Sequence, residues 1–195
     1  MRGRWVALGA YTAAIYATLP FGPQLGRAFV RTGVGGWLLG PGLAVLVLFG
    51  AGGVLGARVW RRAPRWAVVA LGGAALGYGA ALFWLRAQHL ERIHLPEYGI
   101  AGWLAWRAVR PLCGDGAAYA AAALLAAAIG WGDELLQAVT PGRVYDLRDV
   151  LANAIGAGLG VLVIAALRAR GSARRGVTAG SSSRRSPRAA GSSPR

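Results

Sequence analysis

Long stretches without a charged residue dominate the first 170 residues of the chain. They occur at 5–26, 32–57, 66–85, 116–132 and 150–167. A helix needs about 20 apolar residues, within a range of roughly 17–25, to cross the hydrocarbon core of a bilayer. A chain of 195 residues is too short to enclose five such helices in polar layers. The pattern therefore predicts an all-α, polytopic transmembrane bundle and excludes a soluble domain.

Residues at the ends of these runs set the predicted helix boundaries. Pro20 ends the first helix, and Trp37 and Trp66 open the next two at positions suited to the membrane–water interface. The segment between His94 and Arg110 is shorter, and predicts either a fourth spanning helix or a re-entrant segment buried in protein. We expect about six helices, at 5–19, 37–58, 66–86, 94–109, 117–137 and 149–167.

The composition agrees with a membrane domain that is followed by a polar tail. Hydrophobic residues make up 55% of the chain and charged residues only 15%, and all 22 basic residues are arginine. The net charge of +15 would suggest nucleic acid in a soluble protein, but the arginines lie at helix ends and in the tail, so no nucleic-acid partner is expected. We predict a transmembrane domain at 1–168 and a disordered Arg/Ser-rich tail at 169–195, which either contacts anionic lipid or is only solvated.

The arginines also predict an orientation. With six crossings, both termini and the second and fourth loops share one side, which then holds 16 arginines against 6 on the other side. Loops rich in arginine stay in the cytoplasm. The sequence therefore predicts a multi-pass protein of the plasma membrane with cytoplasmic N- and C-termini. Five crossings would send the Arg-rich tail outward, against this bias.

Six of the seven carboxylates fall in two short stretches, 91–98 and 132–153. In the six-helix arrangement both stretches lie on the outer side, at the ends of neighbouring helices. Spacings of three, four and seven residues place their polar side chains on common helix faces. The candidate polar cluster comprises His94, Glu97, Tyr98, Asp133, Glu134, Gln137, Arg143, Asp146, Asp149 and Asn153.

Two structural interpretations compete with a functional one. In the first, Arg143 and Arg148 pair with Glu134, Asp146 or Asp149 and tie two helices together. In the second, the acids are solvated loop charges. Ionised groups near a membrane are costly, so their retention indicates pairing, function or both.

The same residues form a recognisable motif. Glu134 and Gln137 give a Glu-x-x-Gln helix end, Gly142-Arg143 a turn, and 146–156 an Asp-x-x-Asp-x-x-x-Asn-x-x-Gly stretch, with His-x-x-Glu-Tyr upstream at 94–98. This combination resembles the VanZ-like family of bacterial membrane proteins, over 94–160 in motif and 5–168 in hydropathy. Pro96 departs from the pattern and leaves the local helix start open.

The resemblance implies a polytopic protein of the bacterial cell envelope. The member that gives the family its name is linked to resistance to the glycopeptide teicoplanin, without a settled mechanism. A role in such resistance or in envelope homeostasis is therefore the expectation that the family suggests for this chain.

Three functions remain open at this point. The favoured one is a binding protein, rather than an enzyme, whose outer polar cluster engages a lipid headgroup or a cell-wall precursor, with Arg143 as the anion contact. The second is a membrane enzyme that uses the same cluster for acid–base chemistry on a lipid-linked substrate. The third is a proton-coupled transporter. No cofactor or metal site is expected, although the carboxylates and His94 leave a divalent cation as an alternative.

Overall fold

The computed structural model describes residues 1–31, 64–84 and 93–182 of the chain. These residues form helices and no strand, which confirms the predicted fold class. The segments Arg65–Trp84, Asp115–Val139 and Leu147–Arg168 are long and apolar enough to cross a membrane. The predicted helix 37–58 lies outside the described residues. The α-helices are α1 (Arg2–Thr18), α2 (Gly22–Arg31), α3 (Arg65–Trp84), α4 (His94–Val109), α5 (Asp115–Val139) and α6 (Leu147–Ser182).

Proline, glycine and aspartate residues explain most of the helix boundaries. Pro20 converts the end of α1 into a short 3-10 turn at Leu19–Phe21. Pro96 stands in the first turn of α4, where a helix needs no backbone N–H, so it does not disturb the predicted start at His94. Gly142 takes a positive φ of 77° in the turn after α5. Asp146 caps α6, because its side chain accepts the backbone N–H of Arg148 at 2.8 Å.

Helix α4 spans the bundle from one end to the other. At its start, His94 lies near Asp133 of α5; at its other end, the Arg107 carbonyl accepts a hydrogen bond from Arg4 of α1. Its 16 residues give a length of about 24 Å at the α-helical rise. Leu95, Ala101 and Ala105 are fully buried. The predicted helix 94–109 is thus confirmed as the central element of the described bundle.

Glycines allow α4 and α6 to pack closely. A Cβ atom on Gly156 would come within 2.6 Å of the Leu95 carbonyl oxygen, and one on Gly160 within 2.6 Å of the Gly99 backbone. Small residues of this kind let transmembrane helices approach backbone to backbone. The GxxxG spacing in α6 therefore has a packing role.

The helix contacts define two ends of the bundle. Helices α1, α3 and α5 finish at the end where α4 and α6 begin: Tyr16 of α1 contacts α5 there, and Leu82 of α3 packs with Leu95 and Ala152. We call this the acid-rich end. The opposite end, which we call the arginine-rich end, carries Arg2, Arg4, Arg65, Arg107, Arg110 and Arg168.

The lateral surface of the helices is apolar. Val69, Leu76 and Leu124 are each more than 70% exposed, whereas Ala67, Ala74 and Ala118 on the same helices are buried. Large side chains outside and alanines inside are the opposite of a water-soluble core. Lipid chains are the solvent that suits such a surface.

Helix α6 is longer than the predicted helix 149–167. It begins at Leu147 and continues to Ser182, into residues whose composition predicted a disordered tail. Ala and Arg are good helix formers, and no proline interrupts the chain between Pro141 and Pro187. Residues 169–182 are thus helical, whereas 183–195 lie outside the described part of the chain, so a disordered tail stays a prediction for those residues.

Candidate functional site

All ten residues of the predicted polar cluster lie at the acid-rich end. The start of α4, the end of α5 and the start of α6 meet there, so that stretches far apart in sequence come into contact. Arg143 and Asp146, in the α5–α6 connection, are half-buried. The members with at most 8% of their surface exposed are His94, Tyr98, Asp133, Glu134, Gln137, Asp149 and Asn153. The interpretation as solvated loop charges is wrong for these buried groups.

His94 stands between two carboxylates. Its Nδ1 atom is 3.7 Å from Glu97 Oε2, one turn along α4, and 3.9 Å from Asp133 Oδ2 on α5. The imidazole also stacks on the Tyr98 ring, with centroids 6.2 Å apart. These distances are longer than direct hydrogen bonds, so His94 Nδ1 is close to both carboxylates without being hydrogen-bonded to either.

A chain of polar contacts connects α5 to the loop that follows it. Glu134 accepts hydrogen bonds from Gln137 Nε2 at 2.5 Å and from the backbone N–H of Asp146 at 3.1 Å. The Gln137 side-chain oxygen accepts a hydrogen bond from Arg143 Nη2. Glu134 and Gln137 therefore hold the α5–α6 connection in place, and Gln137 positions the Arg143 side chain.

Asn153 joins α6 to α5 at the base of the cluster. Its side-chain nitrogen donates to the Gly130 carbonyl at 3.1 Å. A Cβ atom on Gly130 would lie 2.5 Å from Asn153 Cβ and 3.0 Å from the Tyr98 ring. Only glycine fits here, so the three helices meet at one point beneath the buried acids.

Several buried polar atoms of the cluster have no hydrogen-bond partner of normal length among the described residues. Burying such an atom without a partner costs about 1–3 kcal/mol, and more when it is charged. Asp133 is the extreme case: none of its surface is exposed, neither carboxylate oxygen accepts a hydrogen bond of normal length, and the Tyr98 hydroxyl is the polar group that comes closest to making one. The unpartnered atoms within the cluster are His94 Nδ1, Tyr98 Oη, both Asp133 oxygens, Arg143 Nε, Asp149 Oδ1 and Asn153 Oδ1.

Arg143 is not held by a salt bridge. No carboxylate lies within 4.0 Å of its guanidinium among the described residues, and its side chain bonds to the neutral Gln137. The Arg148 residue is exposed. The predicted ion-pair network of Arg143 and Arg148 is therefore wrong, and the positive charge of Arg143 acts on the acids from a distance.

Three contacts of the cluster were not predicted from the sequence. Tyr11 of α1 donates to the Glu97 carbonyl at 3.1 Å, and Tyr16 donates to the Ile129 carbonyl at 2.8 Å. A Cβ atom on Gly22 would approach the Arg143 guanidinium to 3.1 Å. The two tyrosine hydroxyls in an otherwise apolar helix are the signal that indicates a polar neighbour.

An apolar groove adjoins the cluster. It encloses about 380 Å³ between α3, α4 and α6, and is lined by residues such as Tyr78, Leu95, Pro96 and Trp103. Leu95 and Pro96 stand between His94 and Glu97 in the first turn of α4, so the groove and the polar cluster lie on different faces of the same turn. No residue of the cluster lines the groove itself.

No set of three or more His, Cys, Asp and Glu side chains in the described ranges is arranged to hold a metal ion. The unpartnered atoms are mainly acceptors, with Arg143 Nε and Tyr98 Oη as the donors. Such a set is best matched by a ligand that brings hydroxyl or amino groups.

Comparison with known proteins identifies the family. The sequence model of the VanZ/LLP1 family matches residues 43–168, which is more than half of the chain and contains every residue of the polar cluster. No curated protein and no solved structure matches significantly. With its membrane-spanning helices and this match, the chain is a membrane protein that belongs to the VanZ/LLP1 family.

Proposed function

We propose that this membrane protein binds the headgroup of a lipid or of a membrane-linked cell-wall precursor at the outer face of the bacterial plasma membrane. The ligand would present hydroxyl or amino groups to the buried acids, and an anionic group to Arg143. The protein would thereby influence the cell envelope, with altered sensitivity to glycopeptides of the teicoplanin type as one consequence.

The unpartnered oxygens of Asp133 are the observation that carries this proposal. A fold gains nothing in stability from a buried carboxylate that accepts no hydrogen bond. Tyr98, His94 and Asp149 add further unpartnered atoms to the same cluster. Native proteins leave few buried polar atoms unsatisfied, and a ligand is one of the ways in which such atoms find partners.

The direction of the bundle supports an outward-facing site. The acid-rich end and the arginine-rich end are opposite, and arginine-rich ends of membrane proteins stay in the cytoplasm. In this orientation the polar cluster faces the compartment where the cell wall is built, and both termini are cytoplasmic.

The apolar groove supports a ligand that carries a lipid chain. Its lining holds no charged residue, and it begins beside Leu95, one residue from His94. A headgroup in the polar cluster would place its hydrocarbon chain in this groove. A free sugar or peptide would leave the groove empty.

Binding of defined lipids to the purified full-length protein tests the proposal. Native mass spectrometry in a neutral detergent would compare phosphatidylethanolamine, phosphatidylcholine and a polyprenyl-linked cell-wall precursor. We expect one of the donor-bearing ligands to bind at least tenfold more tightly than phosphatidylcholine. Asp133→Asn and Tyr98→Phe should each lose most of that preference, because each changes a group of the cluster that has no hydrogen bond of normal length to a described residue.

Arg148→Ala is the matched control, because Arg148 is an exposed arginine in the first turn of α6, at the same end of the bundle. Equal preference in Asp133→Asn, Tyr98→Phe and the wild type would refute the proposed site. Drug susceptibility of cells expressing the same four proteins would then test the link to the envelope.

The position of His94 supports a second candidate, a membrane enzyme. An imidazole between two carboxylates is a common arrangement for general acid–base catalysis. In this case the lipid-linked ligand would be consumed. The His94→Gln variant would then bind the ligand without turning it over. If the wild type also binds the ligand without turnover, the enzyme hypothesis is refuted and only the binding function remains.

A further inference from the structure

A second group of polar and aromatic residues lies at the opposite end of the bundle from the candidate site. Trp106 of α4 is at its centre and is only 7% exposed. Its indole packs parallel to the Tyr119 ring, with centroids 6.0 Å apart. Two guanidinium groups lie over the same indole, that of Arg168 at 4.6 Å and that of Arg110 at 5.2 Å. We call Trp106, Arg110 and Arg168 the arginine–tryptophan cluster.

The charges of this cluster are only partly balanced by the described residues. Arg110 pairs with Asp115 at 3.0 Å, on the surface. Asp115 is also the one acid that the described residues place at this end. Arg168 has no carboxylate within 4.0 Å in the described part of the chain. Arg107 and Arg4 stand nearby and increase the positive charge.

The indole N–H of Trp106 is a second, independent observation that points to a ligand at this end of the bundle. This Nε1–H is shielded from solvent and donates to no atom of the described residues. The two guanidinium groups lie over the face of the indole and the N–H lies at its edge. The cluster thus offers an oxyanion one N–H donor and the charge of Arg168, which no described carboxylate balances. Phosphate oxygens fit this set, because guanidinium forks match their geometry.

The level of the cluster in the membrane indicates the source of the phosphate. Arg168 is the last residue of one membrane-spanning segment, and Asp115 is the first residue of another. Lipid headgroups lie at the ends of such segments, where Trp and Arg residues are commonly found. We infer that the arginine–tryptophan cluster binds the phosphate of an anionic phospholipid in the leaflet opposite the candidate site.

The inference does not depend on the proposed function, since the two sites lie at opposite ends of α4 and share no residue. Its test uses the full-length protein in neutral detergent and native mass spectrometry. The probes are phosphatidylglycerol, phosphatidylcholine and inorganic phosphate. We expect phosphatidylglycerol to bind at least tenfold more tightly than either of the others.

Variants separate a built site from general attraction to positive charge. Arg168→Ala should weaken phosphatidylglycerol binding about tenfold, and Trp106→Phe should weaken it several-fold while keeping the ring. Arg65→Ala is the matched control, because it removes an exposed arginine from the same end outside the cluster. Arg110→Gln provides a further variant if Arg168→Ala does not fold.

Three results would overturn the inference. One is equal binding of phosphatidylglycerol and phosphatidylcholine. Another is binding of inorganic phosphate as tightly as of the lipid. The third is a pattern in which Trp106→Phe binds like the wild type and Arg65→Ala loses as much affinity as Arg168→Ala, because this describes a diffuse charge effect.

Discussion

At the scale of single residues, acids of the same chemical type play different roles. Asp146 caps a helix, Glu134 holds a loop through two hydrogen bonds, and Asp133 is fully buried without a hydrogen bond of normal length to any residue that the structure describes. The sequence predicts that all three belong to one cluster, because residue spacing shows which side chains share a helix face. It does not predict their different roles, because burial and hydrogen-bond partners depend on how the three helices pack together.

Asp133 and Glu134 should respond in different ways to loss of charge. Asp133→Asn replaces an unsatisfied buried carboxylate by a neutral amide, which is less costly to bury, so we expect a melting temperature equal to or above that of the wild type. Glu134→Gln weakens two hydrogen bonds and should lower the melting temperature. Thermal unfolding in detergent, followed by tryptophan fluorescence, measures both. Destabilisation by Asp133→Asn as large as that by Glu134→Gln would show that Asp133 is a structural residue.

The cap at the start of α6 gives a separate prediction for Asp146. Asp146→Asn should leave the melting temperature nearly unchanged, because asparagine caps helices as well as aspartate does. Asp146→Ala should cost about 1 kcal/mol of unfolding free energy, because the Arg148 N–H loses its acceptor. The same unfolding assay measures both. If Asp146→Asn proved as damaging as Asp146→Ala, the charge rather than the cap would matter.

At the scale of elements, the sequence was most informative about helix positions. The range 94–109, for which the sequence predicts a spanning helix or a re-entrant segment, is an α-helix with the predicted bounds, His94–Val109. Helix α2 was missed, because Gly22–Arg31 lacks an apolar run. The contacts of α1 with the cluster were also missed, because an apolar helix does not reveal which neighbour its tyrosine hydroxyls will meet.

The close crossing of α4 and α6 should be sensitive to single methyl groups. Gly156→Ala and Gly160→Ala each place a Cβ atom 2.6 Å from the backbone of α4, and overpacking of this kind costs about 1–3 kcal/mol. Gly158→Ala is the matched control, since a Cβ atom there meets no atom within 4 Å. It should be neutral or slightly stabilising, because alanine favours helix over glycine. Equal melting temperatures for the three variants would contradict the crossing.

At the scale of the whole molecule, the two ends of the bundle carry different chemistry. Buried acids gather where α4 and α6 begin, and arginines gather where these helices approach the other end. The sequence predicted this separation from the distribution of charge. It could not predict that the acids would be buried among helices rather than exposed at the surface, because burial follows from the glycine contacts.

The separation leads to a prediction about sidedness that single cysteines can test. In a Cys113→Ser background, Ile93→Cys and Val144→Cys mark the acid-rich end, and Gly3→Cys marks the arginine-rich end. All three positions are exposed. A membrane-impermeant maleimide should label positions 93 and 144 in intact cells. It should label position 3 only after permeabilisation, because arginine-rich ends remain in the cytoplasm. Labelling of position 3 in intact cells, with 93 and 144 protected, would show that the protein has the opposite orientation. The candidate site would then face the cytoplasm. Opposite behaviour of 93 and 144 would contradict the convergence of α4 and α6 on a single site.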